Sequence, residues 1–328
     1  MSKAELYPLK FIPIFKSPLW GGTKLGSVLN KPITGLEICG ESWEVSGVKN
    51  NISIVSEGDL ESRTLVDLID EYKAELVGKS TYQKYGNSFP LLIKYIDANQ
   101  DLSIQVHPND ELAAERHDSF GKTEMWYVIA AEKGASLITG FNKATSKEEY
   151  LDFFERGHIL DLLNKEDVKA DDVYYLPAGR VHTIGKGLLI AEIQQTSDIT
   201  YRIYDFDRVD KDGNKRELHI ESAIEAIDYN HYGDYKTRFD QTAQYSTLVK
   251  SDYFITNRIL TENIHSSDYT GIDSFKILMI LDGVGKIETS VGEYTYSTGD
   301  TYLIPACINS LAIIPEKESK ILEVYLPA

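Results

Sequence analysis

Short runs of β-branched, aromatic and aliphatic residues, each cut off by Gly, Pro, Asn or Asp, constrain this chain more than any other feature. FPLLIKYIDA (89–98), DLSIQVH (101–107), EMWYVIA (124–130), ASLITGF (135–141), DVYYLPA (172–178) and LLIAEIQQT (188–196) all have this form. Such runs read as strands, and their close spacing predicts a β-sandwich or barrel. Helical periodicity is confined to TLVDLIDEYKAELVG (64–78), KEEYLDFFERGHILDLLN (147–164) and LHIESAIEAI (218–227), which read as peripheral amphipathic segments. A second set of strand-like runs follows the polar, tyrosine-rich stretch 228–246: FKILMILDG, GKIETSV, EYTYSTGDTYLIPA and KILEVYLP.

The two sets are related. Asp172, Tyr174, Pro177 and Ala178 fall on Asp300, Tyr302, Pro305 and Ala306 at a constant offset of 128, so duplication is the expected origin. The 328 residues are enough for two such units. The expected fold is mainly β, with two related barrels and a few peripheral helices. Residues 1–236 would form the first domain and 237–328 the second.

Lys plus Arg number 34 and Asp plus Glu 51, giving a net charge of −17. That argues against nucleic acid or an anionic membrane surface as a partner. A small anionic substrate would need positive charge focused locally. Two cysteines, Cys39 and Cys307, cannot build a disulfide framework or a cysteine-rich zinc site. The N-terminal residues lack a signal peptide's apolar stretch, and no run approaches a membrane span. A soluble cytoplasmic protein is the expectation.

Four segments carry the chemistry. In Gln105-Val106-His107-Pro108 the two polar side chains lie two apart on a strand and share a face. Lys122 and Glu124 in GKTEMWY share a face in the same way, although alone they would read as a surface ion pair of small value. Pro177-Ala178-Gly179-Arg180-Val181-His182 presents a histidine just after a tight turn, and its P-x-G-x-x-H spacing resembles a motif of the cupin superfamily of metal-binding barrels. In TSDITYRIY, Asp198, Thr200 and Arg202 would face one way and Ile199, Tyr201 and Ile203 the other. Two imidazoles, a carboxylate and an amide oxygen make a donor set that suits Zn²⁺, Fe²⁺ or Mn²⁺.

PLLIKYIDANQDLSIQVHPND, GKTEMWY, PAGRVHTIG and TSDITYRIYDFDR, in that order, resemble the type I mannose-6-phosphate isomerase (phosphomannose isomerase) family in its short bacterial form. The resemblance implies two cupin-type jelly-roll β-barrels. It implies one zinc ion per chain on Gln105, His107, Glu124 and His182, with Lys122, Asp198 and Arg202 as active-site residues. It also implies interconversion of D-mannose 6-phosphate and D-fructose 6-phosphate through an enediol, with a sugar phosphate as the partner. After Arg202 the chain reads Ile-Tyr-Asp-Phe-Asp, where the longer relatives continue into glycine-rich sequence, so the substrate contacts there are not carried over.

Two readings of other classes stand beside this one. A cupin oxygenase would hold Fe²⁺ on two histidines and a carboxylate, and a non-catalytic sugar-binding cupin would bind without turnover. The second barrel is expected to lack a metal site. Five residues after Pro305 comes Ser310, Gly179 is matched by Cys307, and the only histidine beyond residue 237 is His265.

Overall fold

The computed structural model describes residues 3–209 and 212–327. Its framework is two pairs of antiparallel sheets. In the first pair, a seven-stranded sheet runs Ile14–Lys16, Glu41–Ser46, Leu91–Ala98, Leu188–Gln195, Glu124–Ala131, Val173–Leu176 and Lys236–Thr237. The facing five-stranded sheet runs Tyr201–Tyr204, Ile104–Val106, His182–Ile184, Ser136–Phe141 and Leu163–Asp167. The second pair has five strands (Tyr245–Lys250, Ile255–Thr261, Ser319–Tyr325, Lys276–Asp282, Thr301–Ile304) against four (His265–Asp268, Ser310–Pro315, Val284–Thr289, Gly292–Ser297). Each expected barrel takes the two-sheet form of a jelly roll, and among the described residues no pairing closes the two sheets into a ring.

Period-2 alternation divides the apolar residues between separate cores. Ile96, Trp126, Val128, Leu188 and Ile190 face into the first sandwich, where Leu137 and Ile184 of the opposite sheet meet them. Their neighbours Ile93, Tyr95, Met125, Tyr127, Leu189 and Ala191 face the other way, onto Ile277, Met279, Leu281, Leu303 and Leu322 of the second sandwich. Leu278, Ile280 and Ile304 then fill the second interior. The strands on both sides of the interdomain contact are therefore buried on two faces, which is why they read as continuous apolar runs. Phe89 and Phe275 meet across it, ring centroids 4.7 Å apart.

The helices are peripheral. Residues 64–78 form two helices, Leu65–Tyr72 and Ala74–Val77, split at Lys73, whose φ is 52°. Thr64 caps the first by accepting from the Asp67 amide at 3.1 Å. The 147–164 segment is helical over Lys147–Glu155 and stops at Gly157 (φ 72°), before a short 3₁₀ turn at Ile159–Leu162. The 218–227 segment is helical over Ile220–Ala226. None is long and apolar enough to cross a membrane.

Strand register makes the internal repeat explicit. In the first sandwich one row of paired residues reads Lys94, Glu192, Trp126, Tyr174, and the next has Glu124 beside Leu176. In the second the corresponding rows read Asn257, Glu323, Leu278, Tyr302, with Lys276 beside Ile304. Tyr174 and Tyr302 are the pair that the 128-residue offset identifies. On the opposite sheets, Ile184 and His182 pair with Leu137 and Thr139, as Ile313 and Leu311 pair with Ile287 and Thr289. The residue in the place of His182 is thus Leu311, which is buried. Ser310, expected there from counting alone, faces out. One additional residue between turn and strand reverses the side-chain parity.

Candidate active site

The strands that build the first sandwich change character along their length. On the inward face, Ala98 and Ile96 give way to Lys94, Leu188 and Ile190 to Glu192, and Val128 and Trp126 to Glu124. Apolar packing closes one end of the sandwich, and a cluster of buried charges occupies the other.

Glu124, His107 and His182 meet at that end, all essentially inaccessible. Glu124 Oε2 lies 3.6 Å from His107 Nε2, and Oε1 lies 3.3 Å from His182 Nε2. Their ligating atoms all lie within 4.8 Å of one another. His107 Nδ1 donates to the Ile199 carbonyl and His182 Nδ1 to the Arg180 carbonyl, both at 2.8 Å. Those bonds turn each Nε2 lone pair toward Glu124, the arrangement that orients histidines on a metal. Both Glu124 oxygens are buried; Oε1 has no hydrogen-bond donor, and Oε2 has only the Lys122 ammonium 3.2 Å away. A buried carboxylate with an unpartnered oxygen, set between two inward imidazole lone pairs, fits a divalent cation.

Burial, with Lys122 and the neighbouring ring adding to it, holds His107 well below its ordinary pKa; burial and Lys122 bring His182 down to about 3. Burial pushes Glu124 up to about 7, against the pull of Lys122. The imidazoles are therefore neutral, as ligands must be. Gln105 lies beside the triad, its amide nitrogen 3.4 Å from His182 Nε2. A half-turn of that amide would present Oε1 instead. Trp126 stacks edge-on behind His182 at 5.2 Å.

The triad lies beside a cavity of about 350 Å³ lined by Trp20, Lys94, Gln105, Lys122, Glu192, Asp198, Thr200, Arg202 and Arg216 among others. Lys122 Nζ is 3.0 Å from His107 Nε2 and 3.2 Å from Glu124 Oε2. Asp198, Thr200 and Arg202 all reach the cavity, as their alternation predicts. Asp198 and Arg202 do not form the surface ion pair their spacing would allow. Asp198 is exposed, and Arg202 Nη1 donates to the Glu217 carbonyl at 2.9 Å, leaving its Nε buried and unpartnered. Burial, with Arg216 and Arg208 nearby, lowers the Arg202 pKa. Trp20 serves both as core and as cavity wall.

Sequence reading missed Lys94, Glu192, Glu41, Trp43 and Arg216. Lys94 Nζ sits 3.1 Å from Glu192 and 3.6 Å from Glu41, while Trp126 Nε1 donates to Glu192 at 2.8 Å and Trp43 Nε1 to Glu41 at 2.6 Å. Burial opposes ionisation of Glu192, but Lys94 and Lys122 outweigh it and keep the carboxylate ionised. The available signal was a charge inside an apolar run, LLIKYI and LLIAEI, at the same parity as the buried neighbours. Arg216 carries no such signal; its Nε donates to Asp205 Oδ2 at 2.7 Å, and Arg208 holds the other oxygen.

Residues 9–144 match the model of the phosphomannose isomerase type I catalytic domain, a span containing Gln105, His107, Lys122 and Glu124. Mannose-6-phosphate isomerase ManA of Bacillus subtilis is 38% identical over 305 residues, covering 91% of this chain and 93% of that protein. The mannose-6-phosphate isomerase of Streptococcus mutans is 37% identical over 294 residues, covering 89% and 90%. The crystal structure of the mannose 6-phosphate isomerase from Bacillus subtilis superposes with a TM-score of 0.87 at 32% identity, over 98% of this chain and 99% of that one. By its sequence and by its fold, the chain belongs to the type I phosphomannose isomerase family.

Proposed function

We propose that this cavity interconverts D-mannose 6-phosphate and D-fructose 6-phosphate, with zinc held by Gln105, His107, Glu124 and His182. The observation that carries the reading is the buried Glu124 carboxylate, its Oε1 without a donor, facing two imidazoles whose Nδ1 atoms are already committed to carbonyls. Bound there, zinc would supply Lewis acidity toward the sugar oxygens. Nitrogen and carboxylate donors suit it, and the Gln105 amide and the surrounding lysines and arginines favour an anionic sugar over the O₂ chemistry of an iron oxygenase.

In the aldose-to-ketose direction a proton leaves C2 and one arrives at C1. The C2 hydroxyl becomes the carbonyl and the C1 carbonyl becomes a hydroxyl, so no redox partner is needed. Lys122, against both His107 and Glu124, is placed to hold or move a proton at the reacting end. Glu192, kept ionised by Lys94, accepts from sugar hydroxyls deeper in the cavity. Arg202 stabilises the negative charge that develops in the enediolate. Asp198 orients the sugar at the entrance.

The phosphate end falls to Arg216. With Arg202 and Arg208 it places three guanidinium groups around the single carboxylate of Asp205, an excess of positive charge against a protein of net charge −17. A dianion fits that local field.

Residues 1–236 are proposed as the catalytic unit and 237–328 as a brace. Two free cysteines, Cys39 and Cys307, accord with a reducing, cytoplasmic setting. A coupled assay with mannose 6-phosphate, before and after chelation and with the bound metal measured, tests the reading. Turnover abolished by chelator and restored by zinc is expected; turnover that survives complete metal removal would overturn it.

A further inference from the structure

Lys122 lies in a loop, two residues before the strand Glu124–Ala131 begins, so something other than sheet pairing must fix its backbone. Three successive amides supply the restraint. Gly121 N donates to Asp110 Oδ1 at 2.8 Å, Lys122 N to the Pro108 carbonyl at 3.0 Å, and Thr123 N to Gln195 Oε1 at 2.8 Å. Gln195 Nε2 in turn donates to Asp110 Oδ1 at 2.9 Å. Asp110 is thus the hub of the loop. The fit is close: a Cβ on Gly121 would lie 2.5 Å from the Asp110 nitrogen, so no side chain is tolerated there.

The second Asp110 oxygen is held from the other sandwich. Tyr253, in the turn between strands Tyr245–Lys250 and Ile255–Thr261, donates its hydroxyl to Asp110 Oδ2 at 2.9 Å. That turn is itself fixed by Ser251, whose Oγ accepts from the Tyr253 and Phe254 amides at 3.3 and 3.1 Å. A bond that spans 143 residues of sequence therefore connects the C-terminal sandwich to the segment bearing Lys122.

We infer that Tyr253 is a positioning residue for the isomerisation, acting through Asp110 and Gly121 on Lys122, and that this hydrogen bond is the means by which the C-terminal sandwich contributes to catalysis. The inference rests on the catalytic assignment of Lys122 made above. Removing the hydroxyl frees one Asp110 oxygen and lets the carboxylate rotate away from the Gly121 amide. Lys122 Nζ, at the end of a four-carbon stem, would then be displaced relative to His107 and Glu124. Small misplacements of a reacting group are costly to turnover, whereas phosphate binding at Arg216 involves none of these residues.

The test uses the full chain loaded with metal. Tyr253→Phe keeps the ring and loses only the hydroxyl. It is expected to lower kcat by about tenfold, with KM for mannose 6-phosphate within about twofold of the parent and metal content unchanged. Faster amide hydrogen exchange at Gly121 and Lys122 should accompany the loss, a readout that a remote packing defect would not produce. A kcat within twofold of the parent, or a loss traced to released metal, would overturn the inference. Lys122→Met separates the two levels. If it retains full turnover, the assignment of Lys122 itself fails; if it is inactive while Tyr253→Phe is fully active, only the role of Tyr253 fails.

Discussion

Lys276 stands in the C-terminal sandwich at the register position that Glu124 holds in the first: each pairs with the interior residue one place before the repeated proline, Ile304 and Leu176. The neighbouring carboxylate is kept, Glu192 in one copy and Glu323 in the other. Around it the donor set has changed. Ser267 pairs with Leu311 as Gln105 pairs with His182, and two residues further on Tyr269 takes the place of His107. Tyr269 and Tyr245 hydroxyls and the Asn257 amide all donate to Glu323, at 2.6, 2.8 and 3.1 Å. The Lys276 ammonium lies 4.5 Å over the Tyr269 ring, so a cation fixed in the chain faces the carboxylate.

That ammonium is buried without a hydrogen-bond partner, and burial lowers its pKa to about 8. Unfolded, it titrates near 10.4. Between these values the unfolded chain binds a proton that the folded chain has released, so this residue's contribution to stability rises with pH across that window. Urea midpoints of the parent and of Lys276→Met, compared from pH 7 to 10, should show the parent gaining on the variant. Parallel curves would remove the buried charge from the account.

Glu124→Gln should abolish tight metal binding. An amide leaves one neutral oxygen where two anionic ones face the imidazoles, and the loss expected is at least about 100-fold in affinity. Metal content after dialysis and calorimetric titration with zinc check it; a stoichiometrically loaded variant would exclude Glu124 as a ligand.

Arg202→Ala should lower kcat by about 10²–10³ while leaving the melting temperature nearly unchanged. The guanidinium lines the cavity and makes one bond to a backbone carbonyl, so its structural share is small. An undiminished rate would take it out of the mechanism.

Arg216→Gln should act mainly on KM. Losing one charge-assisted bond to the phosphate corresponds to about 1.5–3 kcal/mol, or roughly 10–150-fold. Asp205 keeps Arg208 as a partner in the variant, so the segment should hold its shape. Inorganic phosphate should also inhibit the variant less than the parent. Unchanged KM and unchanged phosphate inhibition would place the phosphate elsewhere.

Local pattern alone determined the strands, their alternation and much of the site. A strand's two-residue period sends Gln105 and His107 to one side whatever surrounds them, and a P-x-G turn delivers His182 at the head of the next strand. The three helical segments read from periodicity were legible for the same reason, up to the break at Lys73 that no propensity announces; the helix Lys79–Tyr85 was not among them. What tertiary structure decided was which polar positions share one end of the sandwich. Lys94 and Glu192 meet because strands 91–98 and 188–195 pair in a register set by packing on both faces. Arg216 reaches the cavity only because Asp205, eleven residues earlier, holds it there. Counting along the sequence chose Ser310 where the fold presents Leu311, because a single inserted residue inverts which side of a strand faces the core. Tyr253 could not be found from its neighbours at all: its one informative contact, with Asp110, exists only once the two sandwiches are packed together.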